Sequence, residues 1–218
     1  QPRFGDTALA EVARTQSLQA AWQAALAKGA ASAAASADGD FAVCLRNESG
    51  RVFMAVDRFA VHSLCYRIID GQLHFSSRAD ELAALPPKAE IDPQAIFDFL
   101  YFHVIPSPRT IFRGVHRLPA AHYALFEHGQ LTVAPYWTPR FDEIARPDFN
   151  ALAAEFRQLI QGAVASQLDG SKAACFLSGG TDSSTVAGMI GQAAGRPAAT
   201  YSIGFEAEGY DEMEFARI

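Results

Sequence analysis

Ala173-Ala174-Cys175-Phe176-Leu177-Ser178-Gly179-Gly180-Thr181-Asp182-Ser183-Ser184 is the stretch that decides the fold. Residues 173–177 are an apolar run of strand length, and 178–184 form a loop of Gly, Ser and Thr around one acid. Helical spacing then holds from 184 to 194, and Gly195-Arg196-Pro197 stops it. A second apolar run covers 199–205. Strand, helix and strand at this length predict a crossover unit with parallel strands, the start of an α/β parallel-sheet domain.

Upstream, Phe149, Leu152, Phe156, Leu159, Ile160, Ala163 and Val164 predict an amphipathic helix that ends near Gly170. The segment 138–148 has two prolines, five charged residues and no periodicity, and reads as a linker. Before it the pattern is antiparallel α+β. Residues 41–45 and 51–56 predict one hairpin, and 64–69 and 72–76 a second around Asp70-Gly71, a dipeptide that favours a tight primed turn. Residues 122–127 and 130–133 predict a third, turning at His128-Gly129. Asp92-Pro93 opens a helix as N-cap and first-turn proline, with Ile96, Phe99 and Leu100 at helical spacing. Phe97, Phe99, Tyr101 and Phe102 are expected to pack. Residues 17–28 predict a helix with Leu18, Ala21, Trp22, Ala25 and Leu26 on one side. The Ala-rich run 30–37 is expected to be a loop or a frayed extension. Domain boundaries follow at 1–137, 138–148 and 149–218.

Net charge is −6 over 218 residues and no Lys/Arg run occurs, which argues against a nucleic-acid surface or a polybasic membrane patch. No apolar stretch approaches the roughly 20 residues that span a bilayer. Cys44, Cys65 and Cys175 are an odd number at no metal-ligand spacing, expected as reduced thiols in a cytoplasmic protein. The histidines are scattered and expected at the surface or in the core rather than on a metal. Gln1 is not an initiator Met, and 211–218 reads as the first turns of a helix, so a longer protein cut at both ends is expected.

The loop has its own chemistry. At the end of a strand and the start of a helix it meets unpaired N–H groups and the positive end of the helix dipole, so an anion is stabilised there. Gly179 and Gly180 allow a tight turn and close approach to phosphate oxygens. Ser178, Ser183 and Ser184 add hydroxyls. No Lys follows the glycines as in a Walker loop. Asp182 takes that place and would repel a bare phosphate, which makes sense if it holds Mg²⁺ against a pyrophosphate.

Ser178 to Ser184 resembles the Ser-Gly-Gly-x-Asp-Ser-Ser loop of the N-type ATP pyrophosphatases, and specifically the asparagine synthetase family. The run 108–123, with Thr110-Ile111-Phe112-Arg113-Gly114-Val115 and Leu118-Pro119-Ala120-Ala121-His122, is similar to that family's segment before the linker. Tyr201-Ser202-Ile203-Gly204-Phe205 with Tyr210-Asp211-Glu212 matches its second synthetase strand. Gly39-Asp40-Phe41-Ala42, Asp57 and Leu64-Cys65-Tyr66 resemble the late part of its N-terminal glutaminase-type domain. The resemblance implies an incomplete Ntn glutaminase-like domain, then the start of a PP-loop domain of the adenine nucleotide alpha hydrolase-like kind. It implies that the backbone around Leu177, Ile203 and Gly204 contacts AMP, that Ser178, Gly179, Gly180, Thr181, Asp182, Ser183 and Ser184 hold pyrophosphate, and that Asp182 binds Mg²⁺. The implied reaction is ATP-dependent adenylation of a carboxylate, with aspartate as the leading candidate. Attack by ammonia from glutamine, or by another amine, then releases AMP; pyrophosphate is the other product. A homodimer is compatible with it. Asp211 and Glu212 either face the ATP site or cap the last helix.

Several positions depart from the family. Its glutaminase nucleophile is an N-terminal Cys, which Gln1 is not, and Cys44, Cys65 and Cys175 lie in or beside predicted strands. Arg14-Thr15-Gln16-Ser17-Leu18 lacks the acid that recognises glutamine. The signature Arg-Asp-x-x-Gly-x-x-Pro-Leu reads Val56-Asp57-Arg58-Phe59-Ala60-Val61-His62-Ser63-Leu64, and Leu-Pro-Pro-Gly reads Leu118-Pro119-Ala120-Ala121. Together these suggest a domain kept for its fold, with glutamine hydrolysis weakened or lost. Two alternatives therefore stand beside an asparagine-forming ligase. One is a relative that forms an intramolecular amide, as β-lactam synthetases and peptide macrocyclases do; the other is a non-catalytic scaffold or fragment.

Overall fold

The computed structural model describes residues 2–143, 148–168, 170, 172–204 and 213–217. The chain divides into two compact units, Gln1–Arg140 and Phe141–Ile218.

The first unit opens with β1 (Arg3–Phe4), α1 (Thr7–Thr15), α2 (Leu18–Leu26), α3 (Ala30–Ala35) and β2 (Ala37–Asp38), which returns antiparallel to β1. Asp6 caps α1 by accepting from the Ala8 and Leu9 N–H groups, and Ser17 caps α2 by accepting from Ala20. The alanine run expected as a loop is the helix α3. Alanine has the highest helix propensity, and Ala33 and Ala34 are small enough to bury completely in the cluster around Trp22. Trp22 meets the rings of Phe4 and Phe41 at 5.2 and 5.1 Å.

Next come β3 (Ala42–Arg46), β4 (Val52–Val56), β5 (Cys65–Ile69), β6 (Gln72–Ser76), α4 (Ala79–Ala84), α5 (Pro93–Phe102), β7 (His116–Arg117), β8 (His122–Glu127) and β9 (Gln130–Pro135). They form two antiparallel sheets, ordered β3-β4-β8-β9 and β6-β5-β7. Both expected dipeptide turns are present. Asp70 and Gly71 have φ 49° and 74°, and His128 and Gly129 have 52° and 75°, the left-handed pair that a primed hairpin needs.

Strand β4 sets the layering. All five of its residues are buried, and alternation sends them to opposite sides. Phe53 and Ala55 join the cluster of α1–α3, while Val52, Met54 and Val56 join Leu64, Tyr66 and Leu118 from the second sheet and its flank. Cys65 points the other way, to a third cluster with Leu82, Ala83 and Val115. The unit is thus stacked as helices, sheet, sheet, helix. Arg67 is buried and satisfied: its guanidinium donates to the carbonyls of Leu82 and Leu85 at 3.0 Å and of Pro87 at 2.6 Å, closing the C-terminal end of α4.

His116 lies over Tyr66 at 5.4 Å, and burial lowers its pKa below 6.5. The unfolded chain therefore takes up a proton at a pH where the native ring does not. Stability should be complete above about pH 6.5 and fall as pH drops through the depressed native value. Urea midpoints between about pH 7.5 and 5 check this. The decline should be smaller in His116→Phe, and an equal decline would remove His116 as its cause.

On α5 the expected packing of aromatics differs from what is found. Phe97, Phe99, Tyr101 and Phe102 are all more than half exposed, and among the helix residues Ala95 alone is buried. Apolar residues surround this helix, so one buried face cannot cover them all.

The second unit holds α6 (Phe149–Gln167), β10 (Ala174–Phe176), α7 (Thr181–Ala194), β11 (Ala199–Tyr201) and α8 (Met213–Ala216). Strands β10 and β11 run parallel, pairing Ala174 with Ala199 and Phe176 with Tyr201, and α7 is the crossover. α6 packs on α7. Helix α7 starts three residues earlier than the expected Ser184, because Gly180 is its N-cap and the Ser184 N–H already bonds to the Gly180 carbonyl at 3.1 Å. Phe205, Tyr210, Asp211 and Glu212, for which a strand end and a site role were expected, lie outside the described residues. No helix among the described residues is long and apolar enough to cross a membrane.

Candidate nucleotide site and the signature segments

The loop is rooted in the strand pair. The Leu177 N–H donates to the Tyr201 carbonyl at 2.8 Å, and the Ser202 hydroxyl donates to the Leu177 carbonyl at 2.6 Å. Ile203 and Gly204 follow directly on that anchor, so they sit beside the loop's root. Ser202 lies in the matched stretch 201–205, where the motif gives it no role; its hydroxyl closes the link between the two strand ends.

Within the loop, the Ser183 hydroxyl accepts from the Ser178 N–H at 3.2 Å and lies 3.1 Å from the Ser178 hydroxyl. It donates to the Gly180 carbonyl at 3.2 Å, and the Gly180 N–H reaches the Ser178 hydroxyl at 3.3 Å. Ser178 and Ser183 therefore brace the loop across its open end. Gly180 gives α7 no side-chain cap, so the helix start carries its dipole without an acceptor from the N-cap residue. Thr181, Asp182 and Ser184 lie on the first turn, with Asp182 exposed.

The chemistry of this set fits a phosphate chain: backbone N–H groups, two hydroxyls and a helix N-terminus meet at Gly180, where a Cβ would press on the Ser178 hydroxyl at 3.3 Å. Among the described residues no group of three or more His, Cys, Asp or Glu is placed to hold a metal. A lone carboxylate at Asp182 still suits Mg²⁺, which commonly takes one or two carboxylates and completes its shell with phosphate oxygens and water.

In the first unit, two segments far apart in sequence meet at Asp57, which is 3% exposed. Its carboxylate accepts from the N–H groups of Phe41 at 3.2 Å, Phe59 at 2.9 Å and Val61 at 3.2 and 3.3 Å. Its carbonyl accepts from Ala60 at 3.1 Å and Ala121 at 3.0 Å. Leu118 donates to the Leu64 carbonyl at 2.8 Å. Residues 56–64 and 118–121 thus form one assembly, with Asp57 as its knot. Arg58 beside it pairs with Asp38 at 2.9 Å and lies 5.5 Å from the centre of Trp137.

The departures from the family pattern acquire a physical meaning here. Ala60 and Ala121 stand where the pattern has Gly, and both keep a left-handed backbone, φ 49° and 58°. Val56, at the Arg position, is fully buried in the inter-sheet cluster. The backbone has kept the glycine conformation and lost the residue suited to it. Ala60→Gly should raise stability by about 0.5–1 kcal/mol, seen as a higher urea midpoint at unchanged slope. A lower midpoint would mean that the methyl's packing outweighs the backbone strain.

The cysteines lie in strands, as expected. Burial pushes the Cys44 thiol up to about 12 and raises Cys65 as well, partly offset by Arg117. Both are thiols near neutral pH and poor nucleophiles. The stretch 14–18 turns the chain from α1 into the cap of α2 and carries no carboxylate.

The family model described as "Glutamine amidotransferase domain" matches residues 12–137, and that described as "Asparagine synthase" matches 155–218. Asparagine synthetase [glutamine-hydrolyzing] 1 of Bacillus subtilis is 28% identical over 189 residues, 85% of this chain and 29% of that protein. Putative asparagine synthetase [glutamine-hydrolyzing] 2 of Methanocaldococcus jannaschii is 28% identical over 190 residues, 83% of this chain and 36% of its own length. Amidase chyE of Penicillium rubens is 29% identical over 162 residues, 70% of this chain and 23% of its own. The chain thus spans about a quarter to a third of these relatives. With its first unit matched by the glutamine amidotransferase domain and the loop-bearing second unit by asparagine synthase, the chain belongs to the asparagine synthetase family.

Proposed function

We propose that the protein is an ATP-dependent amide-forming ligase that adenylates a carboxylate at the loop 178–184. The observation that carries this reading is the serine-braced loop between β10 and the N-terminus of α7, with an exposed Asp182 on its first turn. Residues 1–137 act as the glutaminase-like domain, 138–148 as linker and 149–218 as part of the synthetase domain. Free cysteines at 44, 65 and 175 suit a reducing compartment, the cytoplasm.

The N–H groups at the start of α7, whose N-cap is Gly180, receive the β- and γ-phosphates of ATP. Ser178 and Ser183 hold the loop in that shape, so little reorganisation accompanies binding. Leu177, Ile203 and Gly204 offer backbone to the AMP portion. Asp182 would hold Mg²⁺, whose charge supports departure of pyrophosphate. The substrate carboxylate, which we take to be aspartate, attacks the α-phosphorus through one oxygen and pyrophosphate leaves. A nitrogen nucleophile then attacks the acyl carbon, and AMP leaves with that oxygen. The chain's contribution is alignment and charge placement.

The source of nitrogen separates two readings. Ammonia from glutamine is the leading one, given the amidotransferase match. The substituted signature at 56–64 and the stretch 14–18 without a carboxylate favour a second, in which an internal amine of the substrate attacks. Glutamate release from glutamine, measured beside carboxylate-dependent ATP–pyrophosphate exchange, decides between them. Both activities with aspartate support the first reading, exchange without glutamate release supports the second, and no exchange with any carboxylate would leave a non-catalytic role.

A further inference from the structure

Gly179 and Gly180 look equivalent in the motif and stand in different surroundings. Gly180 has φ −72°, and a Cβ there would meet only the Ser178 hydroxyl at 3.3 Å. Gly179 has φ +85°, and a Cβ there would fall 2.5 Å from the Phe215 Cβ and 2.8 Å from both the Phe215 carbonyl carbon and the Ala216 nitrogen. Two of those three atoms are backbone, so no side-chain rotation makes room. The backbone of α8 lies directly against the loop.

We infer that α8 is a working part of the phosphate loop: Gly179 is a seat for the Phe215–Ala216 backbone, and that backbone positions the loop, while Gly180 keeps space for the ligand. The inference rests on the phosphate-binding reading and deepens it, dividing between two glycines the roles that the motif gives to both. Seating needs the left-handed turn at Gly179 and the absence of its side chain. A ligand that orders the loop and a helix that rests on it share one element, so each stabilises the other, and the coupling is reciprocal. Phe215 itself is largely exposed, so its backbone and Cβ, rather than its ring, make the contact.

Hydrogen–deuterium exchange of the peptide covering 213–217, read by mass spectrometry on the protein with and without MgATP, tests this. The peptide should exchange more slowly than its intrinsic rate, and MgATP should slow it further. Gly179→Ala should accelerate its exchange at least about tenfold without ligand. Gly180→Ala should leave ligand-free exchange within about twofold of wild type and abolish the MgATP response. Phe215→Ala, which keeps the Cβ, should behave as wild type. Unchanged exchange in Gly179→Ala, or intrinsic-rate exchange in the wild type, would overturn the seat. Should Gly179→Ala not fold, the wild-type rate and its response to MgATP decide the matter. If MgATP does not bind the wild type at all, the nucleotide reading fails, and the ligand-free comparison still judges the seat.

Discussion

Asp182→Asn should abolish carboxylate-dependent ATP–pyrophosphate exchange, with a loss of at least about a hundredfold. The change is nearly isosteric and removes one negative charge. Asp182 is exposed on the first turn of α7, so its contribution to folding is limited to a favourable interaction with the helix dipole of about 0.3–1 kcal/mol. Thermal unfolding should therefore shift by only a few degrees while exchange disappears. The loss should fall on turnover as well as on ATP binding, because the metal charge matters most as pyrophosphate departs. Exchange within a few-fold of wild type would show that Asp182 does not hold the metal.

The second large effect concerns stability. Asp57→Ala should destabilise the first unit by about 3–5 kcal/mol. Three backbone N–H groups, from Phe41, Phe59 and Val61, lose their acceptor in a setting where Asp57 is 3% exposed. Each unpaired buried donor costs on the order of 1–3 kcal/mol, and the less buried ones lie at the low end. Asp57→Asn keeps one acceptor oxygen and should recover part of the loss. Urea unfolding followed by far-UV circular dichroism reads both. A change below about 1 kcal/mol for Asp57→Ala would mean that water replaces the carboxylate and that Asp57 does not tie the two signature segments together.

Features governed by local chemistry were legible from the sequence. Asp70-Gly71 and His128-Gly129 announce their turns because both central residues must adopt positive φ. Asp92-Pro93 announces α5, where the Asp92 carboxylate accepts from the Gln94 N–H. The parallel β10–α7–β11 unit was readable because the glycine loop punctuates an apolar strand and a helix. Three helices, α1, α3 and α4, and the two-residue strands β1, β2 and β7 were missed. Alanine runs carry helix propensity but no apolar–polar contrast, so period-based reading finds nothing in 30–35. The buried alanines that make α3 worthwhile matter only once Trp22 stands opposite them.

At the site, the motif named the loop residues and left out those that complete it. Ser202 ties Leu177 to the second strand, and Phe215 and Ala216 rest against Gly179; both contacts depend on tertiary approach. The departures at Ala60 and Ala121 were visible as letters, but their meaning was not. With the backbone in view they are alanines held in the left-handed conformation that suits glycine. Loss of glycine's backbone freedom at these positions therefore leaves the local turn in place.

The central claim is that a carboxylate is activated by transfer of an adenylyl group from ATP. The most direct measurement is the fate of carboxylate oxygen: aspartate labelled with heavy oxygen in its side-chain carboxylate, incubated with the protein, MgATP and ammonia, followed by mass analysis of the phosphorus products. Adenylation followed by amide formation predicts the label in AMP and pyrophosphate free of it. Label in inorganic phosphate with ADP formed, or amide produced with no label in AMP, would contradict the account.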